Sequence, residues 1–291
     1  MGWIDYQFEA IGTRWHVSFA YPDERDWFAL RQKIDARIGE FDLTYSRFRA
    51  ESLVTKIAQN QGDFLLPADA KELLDLYNNL YLLTNGNFTP LIGQALVQAG
   101  YDADYSLQPK ALTLVPSWES ALEYQFPHLR VNIPVVLDFG AAGKGYLVDL
   151  VSQILVEDGC ESFCVDAGGD MYYRHATDEK IRIGLEHPLN TEQVIGIAEI
   201  CNQSICGSAG NRRAWGQYHH IIDAHNLASP QNILATWVIA QKTIIADALA
   251  TCLFFVSPEK LAENYDFEYL IMYKDCSITR SSAFPAEIFT S

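Results

Sequence analysis

Positive charge is scarce in this chain. Of 291 residues, 21 are Lys or Arg and 37 are Asp or Glu, a net charge of −16. Such a surface repels nucleic acid and anionic lipid, so nucleic acid is not expected as a partner. A phosphate ligand must instead be held by local donors, a metal, or both. The excess of acid also serves plain solubility. Long apolar runs are missing too: none reaches the roughly 18 residues that would suggest a membrane span. The first residues show no basic segment followed by an apolar one, and no lipobox-like cysteine. Tyr6 stands where an N-myristoylation signal needs Ser or Thr. As the sequence stands this reads as cytoplasmic, or as periplasmic if an export signal was trimmed. The six cysteines form no C-x-x-C pair and mostly sit in apolar runs, which reads as buried free thiols. Low-complexity segments and internal repeats are absent.

What is present suffices for a core: 49% hydrophobic and 12% aromatic residues. The length fits one large domain or two interleaved ones. Residues 3–10 and 15–20 alternate apolar and polar around Gly12-Thr13, a hairpin pattern. Asp23 is placed to cap a helix over 24–39, and a loop carrying Tyr45, Arg47, Phe48 and Arg49 follows. Helices are expected over 51–59, from Pro67 to 83, and over 91–98, the last after a turn cluster at 85–90. Residues 101–130 read as an irregular connection. Strands are expected at 133–137, 161–165, 181–186, 236–240 and 269–273. Residues 194–200 and 203–206 read as a pair, and 219–222 as a short strand. Helices are expected at 146–156 and 244–255, the second capped by Thr243, and another from Ser257. Strands and helices alternating in this way predict an α/β or α+β fold.

Four stretches can carry chemistry. Asp138-Phe139-Gly140-Ala141-Ala142-Gly143-Lys144-Gly145 joins an apolar run to a helix. Its glycines admit close approach, the helix start offers free N–H groups, and Lys144 adds a cation, so phosphate is expected there. The spacing is neither that of a P-loop nor that of a dinucleotide fingerprint. Asp247 and Thr251, four apart on a helix, present two hard oxygens to one cation such as Mg²⁺; a solvated Asp and a Thr bonded to its own helix is the plainer alternative. His220 near Asp223 offers a base and an orienting group, or a structural histidine. Asp166-Ala167-Gly168-Gly169-Asp170 permits close backbone approach, or is an ordinary turn.

Taken together and in order, these stretches resemble the ApbE family of FAD:protein FMN transferases. Residues 138–149 resemble its glycine-rich pattern, Ala167 to Asp170 its A-G-G-D, His220 to Asp223 its H-I-I-D, and Ala246 to Thr251 its A-D-A-L-A-T. Weaker likenesses are Gly12-Thr13, residues 45–48 and residues 88–93, so the motifs extend over about 11–256 of a single 1–291 domain. The resemblance implies mixed sheets flanked by helices in two interleaved lobes, with FAD between them. It implies Mg²⁺ held by the Gly143 carbonyl, Asp247 and Thr251. It implies FAD contacts from Gly12, Thr13, Phe88, Thr89, Asp138, Lys144, Asp170, His220 and Ile221, and catalysis by His220 with Asp223. The implied reaction transfers FMN from FAD to a Thr or Ser hydroxyl of a target protein, giving a phosphoester-linked flavin and AMP. An FAD-binding protein without transferase activity and an FAD pyrophosphatase yielding FMN and AMP are the alternatives. The chain departs from the family pattern at Ile11, Thr89, Leu91, Gly143, Ser208-Ala209-Gly210 and Ala224.

Overall fold

The structure, a computed structural model, describes residues 2–21, 27–211 and 213–289. In chain order the elements are β1 (Gly2–Ala10), β2 (Thr13–Tyr21), α1 (Phe28–Tyr45), α2 (Leu53–Gln59), β3 (Gly62–Leu65), α3 (Ala70–Leu83), a 3₁₀ turn (Pro90–Ile92) and α4 (Gly93–Ala99). Then come α5 (Trp118–Ala121), β4 (Leu122–Gln125), β5 (His128–Val131), α6 (Gly143–Glu157), β6 (Phe163–Asp166), β7 (Met171–Arg174), β8 (Ile181–His187), β9 (Asn190–Ile200) and β10 (Gln203–Ala209). The chain closes with β11 (Ala214–Trp215), β12 (Tyr218–His219), β13 (Ile233–Ala240), α7 (Thr243–Cys252), α8 (Pro258–Ala262), β14 (Glu268–Tyr273), β15 (Ile278–Arg280) and β16 (Ala286–Ile288). This is the mixed architecture of helices and antiparallel sheets that the alternating pattern predicts.

An eight-stranded antiparallel sheet, ordered β1-β2-β6-β7-β10-β13-β14-β15, is the frame. Its inner strands are apolar on both faces, and the period of two sorts their side chains into two cores. Val165, Cys206 and Val238 join the helices α1, α3, α6 and α7 on one side. Cys164, Ile205, Trp237 and Ile239 meet Leu185, Ala198 and Ile200 of the β16-β9-β8 sheet on the other. The hairpin at Gly12 forms as expected, pairing Ala10 with Thr13 across a two-residue turn of Ile11 (φ 44°) and Gly12 (φ 76°).

Several expectations are corrected. Helix α1 runs on through the expected loop to Tyr45, because Leu30, Ile34, Ile38, Phe41 and Tyr45 keep one buried stripe at three- and four-residue spacing. The cap at Asp23 and the helix start at 24–26 lie outside the described residues. The apolar run 133–137 is not a strand: it pairs with no neighbour, and Asp138 N instead donates to Pro90 O at 2.7 Å. Within 101–130, α5, β4 and β5 are ordered, and β4 and β5 complete a small sheet with β3. Strands β9 and β10 belong to different sheets rather than to one pair. Strand β12 ends at His219, so His220 and Ile222 lie beyond it. Strands β15 and β16 follow the strand read as last. All six thiols are free, but Cys276 is exposed.

The helix at 243 is capped by Asp149 rather than by Thr243. The Asp149 carboxylate accepts from Thr243 N (2.8 Å) and Ile244 N (2.9 Å), tying α6 to the start of α7. Burial pushes its pKa up to about 6, against the pull of those amides. Asp149→Ala is expected to cost about 1–2 kcal/mol in urea unfolding at pH 7. The pH sign follows from the raised pKa. The folded protein holds the proton more tightly, so this group's contribution falls as pH rises from about 4 to about 6. The gap between wild type and variant should therefore be wider at pH 4 than at pH 7. A gap that narrows in acid contradicts the assignment.

Candidate active site

A cleft of about 1020 Å³ opens where the start of α6, the 3₁₀ turn, the β1–β2 turn and the ends of β10 and β13 converge. That volume lies at the top of the usual range for small-ligand sites, roughly 300–1,000 Å³. Of the residues expected to hold metal or FAD or to act in catalysis, all but Asp223 line it: Gly12, Thr13, Phe88, Thr89, Asp138, Gly143, Lys144, Asp170, His220, Ile221, Asp247 and Thr251.

The floor is a buried charge cluster. The Lys144 ammonium donates to Asp170 Oδ2, and Asp247 Oδ1 lies 3.5 Å from it. Asp247 Oδ2 accepts from Gly145 N at 2.9 Å, placing a carboxylate at the positive end of α6. The helix start expected to receive phosphate thus already holds an acid. Lys144, expected as a free phosphate clamp, is shared between two carboxylates. Burial opposes the charge on Lys144, but Asp170 and then Asp247 more than offset it and raise its pKa. Burial, and then the like charge of Asp170, pushes the Asp247 pKa up to about 7.

With both carboxylates ionised, two acids and one ammonium leave the cluster one positive charge short. Asp170 Oδ1 is buried and without a hydrogen-bond partner. The Thr251 hydroxyl lines the same cleft from α7, with Ser208 Oγ at 3.3 Å from Thr251 Oγ1. Among the described residues no three His, Cys, Asp or Glu side chains converge as metal ligands. The donor set that is present, carboxylate and hydroxyl oxygens with one buried carboxylate oxygen unpartnered, fits a hard divalent cation that keeps waters and takes substrate oxygens.

The turn between β6 and β7 supplies Asp170. Gly168 (φ 69°) and Gly169 (φ 103°) both take left-handed conformations, and a Cβ on Gly168 would stand 2.1 Å from Thr13 Oγ1. Only glycine lets the β1–β2 turn close against this one.

Asp138 spends one oxygen on its own loop and the other on Arg47. Oδ2 accepts from Arg47 Nε at 2.5 Å and Oδ1 from Gly140 N at 2.8 Å. Thr89 accepts from Leu91 N at 3.2 Å and starts the 3₁₀ turn, a capping task that Asp does equally well. Phe88 is buried and stacked on Tyr77. His220 faces the cleft with Nδ1 buried and unpartnered. Burial first, then the charge of Arg213, lowers its pKa to about 3, so the imidazole is neutral. Asp223 does not orient it. Its Oδ1 accepts from His225 N (2.8 Å) and Asn226 N (3.1 Å), closing a turn.

Sequence reasoning missed Tyr101, Ser208 as a neighbour of Thr251, and Arg213. Only the Ser208 segment carried a signal, as the counterpart of a family motif.

A glycine-rich helix start, hard oxygens one charge short of neutrality, and a cleft of this volume define a site suited to a phosphate-bearing ligand and a divalent cation. Residues 11–271 match the ApbE family. The FAD:protein FMN transferase of Escherichia coli K12 is 22% identical over 290 residues, covering 91% of this chain and 82% of that protein. The FAD:protein FMN transferase of Chlamydia pneumoniae is 26% identical over 271 residues, covering 84% and 82%. Among solved structures, the flavin transferase ApbE from Vibrio cholerae superposes with a TM-score of 0.82 at 22% identity, covering 97% of this chain and 98% of that one. The ApbE protein of Thermotoga maritima gives 0.84 at 20% identity, covering 98% and 100%. The chain belongs to the ApbE family.

Proposed function

We propose that this protein is a flavin transferase of one functional unit, moving FMN from FAD to a Thr or Ser hydroxyl of a target protein and releasing AMP. The observation that carries the reading is the buried cluster of Asp170, Asp247 and Thr251, one positive charge short, at the glycine-rich start of α6 in a dinucleotide-sized cleft. The family match and the names of the relatives support it.

Asp247, Thr251, the Gly143 carbonyl and the open oxygen of Asp170 would hold Mg²⁺. When bound, Mg²⁺ neutralises diphosphate charge and polarises phosphorus. Lys144 donates to Asp170, stands 3.5 Å from Asp247 Oδ1, and lines the cleft beside them. The Gly12-Thr13 turn, Phe88, Thr89 and Ile221 line the ligand's path. His220, neutral in the free protein, takes the acceptor hydroxyl's proton as the diphosphate's negative charge nearby raises its basicity. The acceptor oxygen bonds to the FMN-side phosphorus, the bond to the AMP phosphate breaks, and AMP leaves with the electron pair. Among the described residues no helix is long and apolar enough to cross a membrane.

Chelation tests the metal requirement. AMP release from FAD in the presence of an acceptor fragment should stop with EDTA and return when Mg²⁺ is restored in excess. AMP release that continues in EDTA contradicts the assignment. AMP and free FMN produced equally with and without acceptor would favour hydrolysis instead.

A further inference from the structure

Most cations lining the cleft are committed to carboxylates: Arg14 to Glu9, Arg47 to Asp138, Arg49 to Asp42, and Lys144 to Asp170 and Asp247. Arg213 is the exception. In a chain of net charge −16, no carboxylate among the described residues lies within ion-pair distance of its guanidinium. Arg213 Nη1 donates to the Tyr101 hydroxyl at 2.7 Å, and the guanidinium sits 5.7 Å from the Tyr101 ring centre. Its Nη2 lies 4.0 Å from where a Cβ on Gly12 would stand, so the side chain reaches toward the β1–β2 turn.

The backbone fixes its neighbour. Ala214 pairs with His219 in the β11–β12 hairpin, and His220 N donates to Arg213 O at 3.2 Å, extending that register by one position. Directly opposed residues put their side chains on the same face. Arg213 and His220 are thus set side by side, and both line the cleft.

We propose that Arg213 is a catalytic residue of the transfer, its guanidinium taking a non-bridging oxygen of the FMN-side phosphorus while the acceptor hydroxyl attacks. This assignment rests on the flavin transferase reading. In the step, the acceptor O–P bond forms, the P–O bond to AMP breaks, the hydroxyl proton passes to His220, and the electron pair leaves on AMP. A planar guanidinium offers two parallel donors to phosphoryl oxygens. Held by Tyr101 and unpaired beforehand, it need not release a carboxylate as charge develops. Preorganised donors of this kind act most strongly on the transition state.

The test compares wild type with Arg213→Gln, Arg213→Lys and Tyr101→Phe, using FAD, Mg²⁺ and an acceptor fragment. Steady-state transfer gives kcat, and flavin fluorescence gives FAD affinity without turnover. Arg213→Gln is expected to lower kcat roughly 100-fold. The FAD dissociation constant should move less than about threefold, because the interaction is made chiefly in the transition state. Arg213→Lys should recover part of the loss, and Tyr101→Phe should show a smaller fall in kcat. An Arg213→Gln protein with wild-type kcat, or one whose loss lies wholly in FAD affinity, overturns the assignment alone. A wild-type protein that leaves FAD intact overturns the transferase reading and this assignment with it.

Discussion

Asp247→Asn is expected to lower FMN transfer about a thousandfold and leave the fold standing, taking several kcal/mol of lost cation-dependent stabilisation at 1.36 kcal/mol per tenfold. The substitution removes one charge and, with it, the 3.5 Å contact from the Lys144 ammonium to Asp247 Oδ1. The amide oxygen still accepts from Gly145 N, which Asp247 Oδ2 does now at 2.9 Å. Lys144 keeps Asp170 as its partner. What disappears is the excess negative charge that makes the cluster a cation site. Asp247→Ala is the poorer probe, because it would leave the buried Gly145 N–H without its acceptor and mix a folding cost into the readout. The measurement is the transfer rate at saturating FAD and Mg²⁺, with thermal melting alongside. A variant that transfers FMN at more than about a tenth of the wild-type rate contradicts the metal assignment, since a lost ligand to a required cation costs far more.

The largest effect on stability is expected from Gly145→Ala, at about 3 kcal/mol, the upper end of ordinary overpacking. A Cβ at this position would stand 2.3 Å from Thr243 O, 2.7 Å from Asp247 Cβ and 2.8 Å from Thr243 C. Two of those atoms are backbone, so no side-chain rotation relieves the contact. Helices α6 and α7 would have to separate, and with them the Gly145 N–H and the Asp247 carboxylate. Urea unfolding should show a lowered midpoint with the slope unchanged. FAD binding should weaken as well, because the same helix pair builds the charge cluster. Stability within about 0.5 kcal/mol of wild type, the range of an ordinary surface change, would mean the two helices are not packed as described.

Much of the site was legible because its local signals are strong. The glycine-rich turn leads into a helix, the Asp247 and Thr251 oxygens share a helix face, and the Gly12 hairpin forms where alternation places it. Resemblance then grouped stretches that no periodicity could have joined. Non-local facts stayed hidden. Residues 133–137 are as apolar as a buried strand, yet they lie against Gly93, where a Cβ would meet Val136 O at 2.3 Å. Nothing in the run itself distinguishes that docking from a ladder. Strands β4 and β5 have only four residues each, too short for alternation to stand out. Lys144 looked like a free cation because its partners lie 26 and 103 residues away. Asp223 looked like a partner for His220 because the two are near in sequence, whereas its carboxylate was nearer still to the amides of its own turn. Arg213 showed no pattern at all, and its meaning comes from being unpaired.

Flavin attachment to another protein is read from the mass of an acceptor fragment, after incubation with the protein, FAD and Mg²⁺ and fragmentation to locate the change. The expected result is a gain of one FMN, less water, on a Thr or Ser oxygen, with one AMP released per flavin attached. Fragments of unchanged mass, whether FAD is left intact or split to AMP and free FMN, would contradict it.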